Sequence, residues 1–139
     1  MMMKPSPVAF RLKSYRFTRA SFDFNLPEKS TLEVEFNPKG TYHATSGEYY
    51  LNFEVQITCS EIKRQVIDIT CIAEFTFGKG ISIKDIPEFF YPNSLAIIFP
   101  YIRAFVSTIS LQANVRPIVL STVNLTSLRT TLQKNTVLE

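Results

Sequence analysis

The side chains able to do covalent or acid–base chemistry are few and far apart. His43 is the only histidine of the 139 residues and falls in a polar stretch with Tyr42 and Thr45. A general base needs a partner within hydrogen-bond reach, and an isolated turn histidine is ordinarily just solvated. Cys59 and Cys71 are the only cysteines, and two distant thiols with one imidazole do not complete a structural zinc site in one chain. The four glycines form no phosphate-binding loop. These residue types predict neither an enzyme nor a resident metal or cofactor.

The non-covalent chemistry is richer. Twelve Phe and six Tyr stand against no Trp. Such a load fills a core, and it also suits a groove that takes apolar polypeptide. Glu33, Glu35, Glu54, Asp68 and Glu74 fall on the polar parity of alternating segments. On pattern alone that is an ordinary solvated face. The net charge is +3 with the basic residues scattered, which does not indicate nucleic-acid binding.

The elements that must position these residues read as strands first and helices after. Val8, Phe10 and Leu12 alternate with polar positions, and the phase slips to Tyr15 and Phe17, which predicts a strand with a bulge near Ser14. Ser21–Pro27 reads as an irregular connection. Leu32, Val34 and Phe36 predict a second strand, ended by a turn at Asn37-Pro38-Lys39-Gly40. Leu51, Phe53, Val55, Ile57 and Cys59 share one parity, and Ile67, Ile69, Cys71, Ala73, Phe75 and Phe77 repeat it after a turn near Ile62-Lys63. Strict alternation of this kind predicts an antiparallel sheet with one buried and one wet face. Pairing about that turn sets Cys71 opposite Phe53 or Val55, so the thiols should stand about 13 Å apart, too far for a disulfide. They read as buried free thiols of a reducing compartment. Asp85–Tyr91 is expected to be a short helical turn.

A long helix should follow, with Pro92 ending what precedes it and Asn93 or Ser94 capping the first turn. From Leu95 to Leu111 its apolar residues run nearly all round: Leu95, Ile98, Ile102, Phe105 and Ile109 on one face, Ile97, Tyr101, Ala104 and Val106 over much of the rest. Such a helix needs cover on two sides. One is this chain's sheet, and a second copy is expected to supply the other. Arg103 and Pro100 interrupt the run, which falls short of the ~20 apolar residues of a membrane span. Leu125–Leu138 predicts a weaker, polar second helix with Asn124 as its cap. The fold class is therefore α+β: a four-stranded antiparallel sheet, then a long apolar helix and a shorter C-terminal helix, in one domain over residues 1–139. Met1–Lys13 has no apolar run followed by small residues, so no secretory signal is expected.

Asn93 followed by Phe99-Pro100-Tyr101-Ile102-Arg103, and later Pro117-Ile118-Val119-Leu120-Ser121-Thr122-Val123-Asn124-Leu125, resembles the helix-opening signature and the last loop of the SecB protein-export chaperones. The resemblance implies a dimer of dimers, a cytoplasmic homotetramer with its helices between the sheets. It implies a client groove between the crossover loop and the helices. The matching candidates are Phe22, Phe24 and Leu26 in the loop, Phe89, Phe90 and Tyr91 before the long helix, and Ile118 and Leu120 after it. It further implies contact with the translocation ATPase SecA through acids on the flat sheet face and after the first strand, here Asp23, Glu54, Asp68 and Glu74. The chain departs from the family at Arg19, where an acid is usual, and in lacking an acidic tail. The function expected is ATP-independent holding of unfolded preproteins for export. A SecB-like chaperone of a single client, such as an antitoxin, is the near alternative, and an α+β cup for a small ligand the distant one.

Overall fold

The computed structural model describes residues 8–121 and 125–139. Asn124, expected to cap the last helix, lies outside the described residues, as do Met1–Pro7. Four long strands, β1 (Arg11–Phe22), β2 (Leu32–His43), β3 (Glu48–Cys59) and β4 (Arg64–Thr76), pair antiparallel. The helices α1 (Phe90–Gln112) and α2 (Leu125–Lys134) follow, and a short strand β5 (Thr136–Leu138) pairs parallel with β2. The sheet is mixed and five-stranded, ordered β1-β4-β3-β2-β5. The α+β class stands, with one strand more than the alternation predicted.

The two central strands behave as their parity requires. Leu51 to Cys59 and Ile67 to Phe75 are fully buried at every second residue. Cys71 lies opposite Phe53, and both thiols are buried and free. Cys59 is thus six positions from the partner of Cys71, about 20 Å along the strand rather than 13 Å. Burial lifts the Cys71 thiol to about 11. The first strand carries its expected bulge between Leu12 and Ser14, and a second between Phe17 and Arg19. It runs on through Phe22, so the irregular connection begins only at Asp23.

The turn expected at Asn37–Gly40 does not form there. Those residues continue β2, and the chain reverses at Ala44–Gly47, where Gly47 holds φ 76°. The reason is the direction of the backbone groups. The Gly40 N–H donates outward to the Asn135 carbonyl, so Pro38, two residues earlier, also turns its nitrogen away from β3. A missing N–H on the outer edge disturbs no ladder. Gly40 serves packing rather than turning: a Cβ there would meet the Tyr49 Oη at 1.8 Å.

The long helix opens earlier than its capping residues suggested. It starts at Phe90 with no side-chain cap, and Pro92 sits in the first turn, where its missing N–H would be unpaired anyway. Ser94 instead donates to the Tyr91 carbonyl at 3.0 Å. The short helical turn expected at Asp85–Tyr91 forms earlier, as a single 3-10 turn at Ile83–Asp85, and Phe90 and Tyr91 already belong to α1. Leu95, Ile98, Ile102 and Val106 are fully buried at three- and four-residue spacing, while Ile97 and Tyr101 remain 37% and 40% exposed. With 23 residues, α1 is long and apolar enough to cross a membrane, contrary to the estimate of its run. Its packing on the sheet gives the other explanation for that apolarity. The expected second helix stops at Lys134, and its last stretch becomes β5.

Candidate functional site

A cleft of about 900 Å³ opens between two irregular segments. One wall is the crossover from β1 to β2, with Phe24, Leu26 and Pro27. The other is the segment after α1, Val115 to Ser121, and Leu32, Val34 and Ile57 of the sheet line it between them. The crossover keeps the alternation of a strand: Phe22, Phe24 and Leu26 are half-buried, Ser21, Asp23 and Asn25 exposed. Its path is fixed by polar ties. Asp23 N–H extends the β1–β4 ladder to the Val66 carbonyl at 2.8 Å, and Arg64 donates to the Asn25 carbonyl at 3.1 Å. At the far end, Thr31 N–H donates to both carboxylate oxygens of Glu61, at 2.6 and 3.0 Å. Those bonds favour the ionised form and hold the Glu61 carboxyl below its ordinary range.

The opposite wall is held by serines of the helix. Ser107 Oγ donates to the Ile118 carbonyl at 3.0 Å, and Ile118 N–H donates to Ser110 Oγ at 2.9 Å. Both backbone groups of Ile118 are thereby satisfied without secondary structure. Leu120 then turns inward, 3% exposed, while Val119 remains 60% exposed. The cleft is open to solvent, with an apolar floor and a rim of Glu28, Lys29, Glu61 and Arg116.

Of the eight candidate client residues, Phe24, Leu26, Ile118 and Leu120 line this cleft, and Phe22 stacks on Phe24 with ring centroids 5.6 Å apart. Phe89, Phe90 and Tyr91 lie elsewhere. Phe90 is fully buried in an aromatic box with Phe10, Tyr49, Phe75 and Phe77, so it cannot meet a client. Tyr91 is also buried, and Phe89 is exposed beside Phe10. Residues that sequence reasoning missed include Leu32 and Val34. Leu32 is half-buried and Val34 40% exposed, where β2 runs beyond the reach of β5, and that could not be told from a buried parity without the strand order. Missed as well was an aromatic ladder leading from the cleft along β1 and α1. Phe22 lies 6.1 Å from Phe105, which stacks on Phe17 at 4.0 Å, and Tyr15 stacks on Tyr101 at 4.2 Å.

The acidic candidates are mostly spoken for within the chain. Asp68 is nearly buried and bonded to Arg19 at 2.6 Å, and Glu74 pairs with Lys13 at 3.3 Å. Asp23 is exposed, 3.5 Å from Arg64. Glu54 is half-buried with no ion partner among the described residues. The β1–β4 part of the wet face is therefore a compensated surface, because the cations of β1 lie beside the acids of β4. Among the described residues no three His, Cys, Asp or Glu gather as a metal site.

No model of a known protein family matches the sequence. The chain is similar to an uncharacterized protein of Methanocaldococcus jannaschii, with 26% identity over 141 residues, covering 96% of this chain and 90% of that one. It is similar to the protein-export protein SecB of Magnetococcus marinus, with 23% identity over 120 residues, covering 83% and 74%. Its fold matches a SecB-like chaperone of Mycobacterium tuberculosis, solved in complex with a ChAD peptide from the HigA1 antitoxin. The TM-score is 0.69 at 16% identity, over 83% of this chain and 88% of that one. The fold is the SecB-like one.

Proposed function

We propose that this chain is a SecB-like holdase chaperone that binds extended apolar segments of unfolded proteins in the cleft between the crossover and the α1–α2 segment. The observation that carries this is the cleft's construction: an open apolar floor alongside a free strand edge. An unfolded client has no fixed sequence to read, so its site must offer apolar area and backbone hydrogen bonds together. Leu32 and Val34 line the floor, and the outer edge of β2 from Leu32 to Lys39 pairs with no described strand. Holding then works by mass action, since a partner that binds only the unfolded state keeps it unfolded. No nucleotide is needed.

The compensated wet face favours a chaperone of one or few clients over a general export factor. Asp68 and Glu74, two acids that would meet SecA, are engaged by Arg19 and Lys13. The peptide from an antitoxin on the M. tuberculosis neighbour agrees with that narrower role. Assembly as a homotetramer, a dimer of dimers, is part of the proposal. The exposed Ile97 and Tyr101 of α1, with Tyr15 stacked on Tyr101, leave an apolar helix face for a second copy. Two buried reduced thiols suit the cytoplasm.

The test is the double variant Phe24→Ala/Val119→Ala, which removes apolar area from both walls and leaves every fully buried side chain in place. Suppression of aggregation of a denatured, slow-folding protein should weaken about tenfold or more, while the oligomer, followed by light scattering, is unchanged. Unaltered holding by an intact oligomer would place the client site elsewhere.

A further inference from the structure

The free edge of β2 is not uniform. Gly40 N–H donates outward to the Asn135 carbonyl at 3.2 Å, and the Tyr42 carbonyl accepts the Glu139 N–H at 2.9 Å. Side alternates along a strand, so Leu32, Val34 and Phe36 also turn both backbone groups outward. Pro38 has the same parity and no N–H. The outer edge therefore has three parts. Leu32–Asn37 is open and borders the cleft, Pro38 interrupts the donors, and Gly40–Tyr42 is occupied by β5.

From this we infer that β5 is a strap on the client edge, an in-chain strand that limits the bound segment to about six residues and yields only to longer ones. The inference rests on the reading of the cleft as a client site. β5 itself demonstrates that this edge accepts an added strand. It is also the weakest strand of the sheet. It spans three residues and pairs parallel where every other pair is antiparallel. Val137 and Leu138 are 55% and 56% exposed, so they contribute little burial. Its side-chain hydrogen bonds are at Thr136, whose hydroxyl donates to the Leu132 carbonyl at 2.7 Å and accepts from the buried Tyr49 hydroxyl at 2.6 Å. Just past the strand, the exposed Glu139 carboxylate lies 3.8 Å from His43. A short ladder with exposed side chains opens at low free energy, before the core does. A segment paired with Leu32–Asn37 spans about 20 Å, and a longer one must cross Pro38 and take the place of β5.

The experiment compares two extended apolar peptides, of six and twelve residues, on the full chain and on Val137→Pro. The parity that turns Asn135 and Glu139 toward β2 turns Val137 the same way, so the proline removes a ladder donor and keeps Thr136 on Tyr49. The twelve-residue peptide should bind roughly tenfold tighter to the variant, and the six-residue peptide equally to both. Amide exchange should quicken at Gly40 and remain slow at Phe53, reporting a released strap on an intact sheet. Removing residues 136–139 should act in the same direction on the longer peptide. Equal binding of the longer peptide to wild type and both variants overturns the strap and leaves the cleft standing. A wild type that binds neither peptide sinks the cleft reading, and the strap with it.

Discussion

Two regions of this molecule are built from the same aromatic material and do opposite things with it. Around Phe90, the rings of Phe10, Tyr49, Phe75 and Phe77 close from every side, and Phe90 has no exposed surface. Around Phe24, one ring contact with Phe22 and a half-buried side chain leave a cleft open to solvent. The difference lies in the backbone. The Phe90 box stands where α1 meets the sheet: Tyr49 and Phe75 belong to β3 and β4, and Phe10 and Phe77 flank the ends of β1 and β4 directly. The cleft lies between two irregular segments, held apart by the Arg64, Glu61, Ser107 and Ser110 hydrogen bonds. Polar ties set a distance that apolar contact alone would close.

The strongest way to break that comparison is Phe90→Ala. Emptying a fully enclosed aromatic site should lower stability by about 3–5 kcal/mol, and Phe24→Ala by about 1 kcal/mol or less. Chemical denaturation of both variants measures the difference. Equal losses would mean that the cleft is core after all. A second variant sharpens the contrast at a third aromatic position. Ile102 looks from sequence like the residue to change in an interface, but it is fully buried against the sheet, so a charge there unfolds the subunit. Tyr101 is 40% exposed and stacks on Tyr15. Tyr101→Asp should weaken self-association at least tenfold, about 1.4 kcal/mol, and leave each subunit folded. Sedimentation at micromolar concentration decides it, and unaltered assembly would free that face from any role between copies.

Much of this arrangement was legible in the residues. Strict alternation placed β3 and β4 and the burial of both cysteines, because a buried parity forbids a one-residue slip. It does not forbid a two-residue slip, so Phe53 and Val55 were both open as the partner of Cys71, and the structure selects Phe53. The cleft was half legible: Phe24, Leu26, Ile118 and Leu120 were named through the resemblance, and the structure brings those four together. What failed did so for local reasons. Pro38 and Gly40 carry a turn signal, yet at an outward-facing edge position proline loses nothing, and Gly40 is required by the Tyr49 hydroxyl. Asn93 and Ser94 are good caps, yet the apolar pull of Phe90 into its box starts the helix a turn earlier. Asp68 and Glu74 looked free because their partners lie on β1, and strand order is not written in parity. β5 was lost inside a polar helix pattern, since three residues show no period.

The smallest effect concerns the tie that sets the mouth of the cleft. Glu61 holds Thr31 N–H with both oxygens and also receives the Cys59 thiol at 3.6 Å. The thiol contact is weak, so the Thr31 amide is the main cause of the lowered carboxyl pKa. A carboxyl bound more tightly as the anion contributes stability above its unfolded value near 4.5, and that contribution fades as the pH falls through the lowered folded value. Glu61→Gln keeps one carbonyl acceptor and removes the charge. Because the group is solvent-exposed, client affinity at neutral pH should fall by less than about threefold. The two proteins should converge as the medium is acidified below the folded value, because the wild type then loses its own anion. Measuring peptide affinity from neutral pH downward tests this. A gap that persists in acid would show that the Glu61 side chain acts by shape and hydrogen bonding rather than by charge.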